Sequence, residues 1–138
     1  MNVNDINNIA RGCEILKEIE NSNGDLDANT ISLIGLFTHR DYVLPITNKI
    51  GSLLLLALEL NRYKAAAFIL KSGITVVDSE EDIRKSFEQS TINYNEELIN
   101  EKINKLKTKK DNSEGINKLY ENTLNNYESY MYLKESLA

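Results

Sequence analysis

Between Gly51 and Gly73 the chain reads Gly-Ser-Leu-Leu-Leu-Leu-Ala-Leu-Glu-Leu-Asn-Arg-Tyr-Lys-Ala-Ala-Ala-Phe-Ile-Leu-Lys-Ser-Gly. A helix built from its first half is apolar on every side, so no face is left for water and neighbours must cover it. Asn61-Arg62 divides the stretch, and Gly73 offers the left-handed backbone that stops a helix cheaply. The pattern predicts two short antiparallel helices, 52–60 and 63–71, enclosed by other elements. The longest unbroken apolar run, Leu53 to Leu58, falls far short of the ~20 residues needed to cross a bilayer, so no membrane role is expected.

One proline and six glycines leave little punctuation, which favours helices throughout. Ile6, Ile9, Cys13, Leu16 and Ile19 fall three or four apart, a first helix capped by Asn4 or Asp5 and broken at 21–25. Ile31, Leu33, Ile34, Leu36 and Phe37 form a second, starting near Thr30 and too apolar all round for the surface. It is therefore expected in the core. Pro45 forbids a regular helix through Tyr42–Thr47, and Ile74-Thr75-Val76-Val77 reads as a short extended piece, the best strand candidate. Asp78 or Ser79 caps a helix with Glu80, Glu81 and Asp82 in its first turn and Ile83 and Phe87 on one face. Another starts at Asn95, with Leu98, Ile99, Ile103 and Leu106 as its stripe. After a loop at 111–115, a C-terminal helix of about 113–136 carries Ile116, Leu119, Tyr120, Leu124, Tyr127 and Met131 on its buried face, with Tyr130 and Tyr132 pointing elsewhere. The expectation is about seven helices in a single domain spanning 1–138, with at most one token strand pair.

Ile50 to Val76 resembles an ankyrin repeat. Ser52 takes the family's helix-opening Thr place and Leu54 its Leu place. Ala57 falls on the first Ala, Phe68-Ile69-Leu70 on the Leu triplet, and Gly73 on the closing glycine. Leu53 replaces the proline, Leu55 the histidine, and Asn61-Arg62 the Gly-His pair, and no second copy follows at the expected ~33-residue spacing. The resemblance implies an all-α, compact stack of antiparallel helix hairpins, ankyrin-like over 50–76, with flanking capping helices. It also implies a binding scaffold whose exposed candidates are Lys49, Glu59, Leu60, Arg62 and Tyr63.

Reaction chemistry is scarce. Cys13 and His39 are each the sole residue of their kind, and Cys13 lies on an apolar helix stripe, where a thiol acts as a small hydrophobe. One histidine and one cysteine cannot build a zinc site, and Asp25 and Asp27 lack the ligand series of a calcium loop. His39-Arg40-Asp41 matches a kinase tripeptide, but Ile46 stands where its asparagine belongs and no glycine-rich loop exists. A pair of cations at a helix end suits His39 and Arg40 better. No enzyme, cofactor or metal is expected. The net charge of −5 repels phosphate backbones, so the expected partner is a protein, for which a basic one is suited, and not nucleic acid. The five lysines from 102 to 110 are flanked by Glu96, Glu97, Glu101 and Asp111 and read as a solvated helix end. A single cysteine and an N-terminus without a signal-peptide pattern lead to a cytoplasmic expectation, leaving room for export that reads no such signal.

These readings converge on a non-enzymatic protein-protein interaction module, either a host-directed effector or an inhibitor of the immunity type. The alternative is an obligate homo-oligomeric structural bundle, a homodimer joined through the C-terminal helix.

Overall fold

The computed structural model describes residues 3–22, 28–39, 41–47, 49–109 and 113–138. Among these are seven helices and one two-stranded sheet. In chain order they are α1 (Val3–Asn21), α2 (Ala28–Phe37), β1 (Tyr42–Val43), β2 (Ile50–Gly51), α3 (Leu53–Glu59) and α4 (Tyr63–Lys71). There follow α5 (Glu80–Ser90), α6 (Glu96–Thr108) and α7 (Glu114–Ser136). The class is all-α.

The α3–α4 hairpin is the centre of the molecule. Ser52 caps α3 by accepting a hydrogen bond from the Leu54 N–H, and all seven residues of the helix are buried. Asn61 turns the chain at φ 59°, a left-handed value that asparagine tolerates better than most residues, and Gly73 ends α4 at φ 73°. Helices α1 and α5 and both strands pack on α3, while α1 and α7 pack on α4. Asp78 fastens the front of the hairpin: one carboxylate oxygen accepts from the Ser52 N–H at 3.1 Å and the other from the Ser52 hydroxyl. Ser79, Asn95 and Ser113 cap α5, α6 and α7 in the same manner as Ser52.

Several expectations are corrected. Helix α2 does not lie in the core: only Ile34 and Phe37 of its apolar residues are buried, and Leu36 is 68% exposed. Among the described residues, no element packs along α2 as α1, α4 and α5 pack along α3. The strand pair forms between Tyr42–Val43 and Ile50–Gly51, in antiparallel register Tyr42 to Gly51 and Val43 to Ile50, around the turn that Pro45 opens. Residues 74–77 run without pairing. Glu114 and Gly115 belong to the first turn of α7 rather than to a loop. On α7 the expected face is only half-buried, with Leu119 45% exposed, and Tyr130 and Leu133 are the buried residues. The readings placed on Asp25, Asp27, Arg40, Lys110 and Asp111 lie outside the described residues.

Candidate binding groove

The β1–β2 hairpin and α5 both pack on α3 and leave a groove between them. Its outer part has a volume of about 430 Å³, with Lys49 and Ile50 on the strand side and Lys85 and Gln89 on α5. Its inner part, about 270 Å³, runs past Leu44, Ile46 and Thr47 to Asn61 and Ser90. Leu44, Thr47, Ser86, Gln89 and Ile92 line both, so the two are one continuous depression. The close fit at its base needs a glycine. A Cβ on Gly51 would stand 2.8 Å from Leu55 Cδ1 and 3.2 Å from Leu44 Cδ1. Three isoleucines border the groove while facing water: Ile46 at 74% exposure, Ile50 at 68% and Ile92 at 68%.

Glu59, the last residue of α3, lines the inner part. It is 9% exposed. Its Oε1 accepts the Thr47 N–H at 2.7 Å, which ties the hairpin turn to the helix end. Its Oε2 is buried and has no hydrogen-bond partner among the described residues. The other carboxylates along the groove are Asp82 and Glu88, set against Lys49 and Lys85. Lys85 is already paired with Glu81 at 2.9 Å, so the lining is acidic on balance.

Of the five residues expected on a binding face, Lys49 and Glu59 line the groove. Only Lys49 is exposed, and two of the five are buried. Glu59 is buried because every side of α3 is covered, so a polar residue anywhere on it is carried inward. Tyr63, 2% exposed, is the hub of an aromatic cluster. Its ring meets Phe87, Tyr94 and Tyr130 edge-on at centroid distances of 6.1, 5.7 and 5.6 Å, and Tyr94 stacks on Tyr130 at 3.9 Å. The Tyr63 hydroxyl donates to the Ser90 carbonyl at 3.2 Å. That of Tyr130 donates to Glu96 Oε1 at 2.8 Å, where Lys134 also donates. Burial pushes the phenols of Tyr63 and Tyr130 up, and that of Tyr94 up to about 12. Leu60 is half-buried, and Arg62, also half-buried, pairs with Glu20 at 2.9 Å on the side of α1.

Sequence reasoning passed over Leu44, Ile46, Thr47, Gln89 and Ile92. The available signal was the isolation of Ile46 and Ile92 in turn-forming surroundings, where apolar side chains have no helix or strand face to serve. Among the described residues no group of three or more His, Cys, Asp and Glu side chains is arranged to hold a metal ion, and no helix is long and apolar enough to cross a membrane. Cys13 is half-buried on α1 and His39 is exposed. No family model, no curated protein and no solved structure matches the chain.

Proposed function

We propose that this chain is a non-enzymatic protein-interaction module that binds its partner in the groove between the β1–β2 hairpin and α5. One observation carries the reading: three isoleucines, each more than two-thirds exposed, border the same depression. A soluble surface tolerates scattered apolar residues, but a contiguous group around a concavity marks a contact surface. The charge supports a protein occupant of basic character, since both the whole chain and the groove lining carry an excess of carboxylates. The α3–α4 hairpin is read as one worn ankyrin-type unit that serves as the platform. Its partner's identity decides between an effector that engages a host protein and an inhibitor that restrains a toxic enzyme.

A photo-crosslinking residue placed at Ile92 or Ile50 in the producing cells tests the reading. A discrete adduct with a second protein is expected, absent when the probe sits at Glu121 on the exposed side of α7. No adduct, or the same adducts from both positions, removes the groove as a binding face. An adduct of two copies of this chain replaces the module with the homo-oligomer.

A further inference from the structure

Glu59 breaks three rules at once. It is a carboxylate at the C-terminal end of a helix, where the backbone dipole is already negative. It is buried to about nine-tenths. One of its oxygens has no hydrogen bond among the described residues. Each of these costs stability, and a half-satisfied buried charge costs more than a fully paired one. Violations of local rules that nothing nearby offsets concentrate at functional sites.

We infer that Glu59 is the recognition point of the groove, and that it receives the guanidinium of an arginine on the partner protein. The inference rests on the binding-face reading above and names the chemistry it selects. Oε1 is held by the Thr47 N–H, which fixes the carboxylate and leaves Oε2 for a single charge-assisted hydrogen bond. Around it, Asn61, Gln89, Ser90 and Asn93 supply neutral side-chain oxygens. A guanidinium spreads five donors in a plane and can use several acceptors of this kind together, whereas an ammonium concentrates its charge at one point. The arginine stem lies along Ile46 and Ile92, burying methylenes against apolar wall. Oε2 is closed to bulk water, so the incoming donor reaches it only as groove-lining side chains reorient, a motion that exposed side chains make within nanoseconds.

The test uses the full isotope-labelled chain and three acetylated, amidated heptapeptides of sequence Ala-Leu-Ala-X-Ala-Leu-Ala, where X is arginine, lysine or the neutral isostere citrulline. The arginine peptide is expected to shift the backbone amide resonances of Thr47, Glu59 and Ser90. It should bind about tenfold more tightly than the citrulline peptide, the worth of one charge-assisted hydrogen bond. Glu59→Gln, which keeps an acceptor for the Thr47 N–H, should erase that preference. Equal binding of arginine and citrulline peptides, shifts confined to another surface, no shift at millimolar peptide, or tighter binding of the lysine peptide each overturns the assignment. The peptide comparison on the unmodified chain needs no variant to fold. A crosslinked partner at Ile92 together with indifferent peptides defeats only the arginine assignment, whereas no specific crosslink defeats the binding face itself.

Discussion

Helices α2 and α3 are both rich in apolar residues, yet the fold treats them in opposite ways. All seven residues of α3 are buried, whereas α2 buries Ile34 and Phe37 and leaves Ile31, Leu33 and Leu36 in contact with water. The difference lies in the company each keeps. Helix α3 is met by α1, α4, α5 and both strands, and even its charged residue is drawn under cover. Helix α2 is held through its C-terminal turn, with the Arg11 guanidinium 5.3 Å above the Phe37 ring and the Thr38 hydroxyl hydrogen-bonded to the Gly35 and Thr75 carbonyls. Apolar content sets how much a helix gains from being covered, but the number of elements that return to it sets how much cover arrives.

That contrast can be broken by substitution. Leu56→Ala should cost about 3–4 kcal/mol in a urea titration, because Leu56 is fully buried and its neighbours cannot collapse into the space. A loss below about 1 kcal/mol would mean that α3 is not the centre of the core. A smaller loss should come with alkaline pH on the α4–α5–α7 side. The Tyr94 phenol is raised from 10.0 to about 12, so the native state holds its proton where the unfolded chain releases it. Stability is then constant below pH about 10 and falls as pH rises from about 10 to 12. Urea midpoints taken across that window should decline together with the appearance of tyrosinate absorbance, and a flat profile would remove the burial of the ring.

Glu59→Gln should change stability by less than about 1 kcal/mol, since loss of a buried charge is offset by an amide NH2 left without an acceptor where Oε2 now lies. A loss well above that would mean that Oε2 already accepts a hydrogen bond in solution. The smallest effect belongs to α2. Leu36→Lys should change stability by less than about 0.5 kcal/mol, as for other exposed positions. A cost above about 1 kcal/mol would show Leu36 to be covered, which would end the contrast between the two helices.

The central hairpin was legible because its signals agree: Ser52 to cap, Asn61 to turn, Gly73 to stop, and apolar residues between. The caps at Ser79 and Asn95 and the burial of Ile83 and Phe87 followed from the same local rules. What escaped was set by packing between distant segments. Tyr63 and Tyr130 are 67 residues apart in the chain, and only the closure of α7 onto α4 makes them one cluster, so periodicity along α7 found Tyr127, half-buried at the cluster's edge, but turned Tyr130 away from it. The groove was half legible. Lys49 and Glu59 were named for a hairpin face, but the α5 wall depends on a contact between α3 and α5 that no local pattern announces.

Gly51 carries a consequence for how this sequence tolerates change over generations. Any side chain there would have to displace Leu55 and Leu44 together, and Leu44 also forms the wall of the inner groove. Position 51 is therefore expected to stay glycine wherever the cleft is kept, whereas Ile46 and Ile92, exposed at its border, are free to vary.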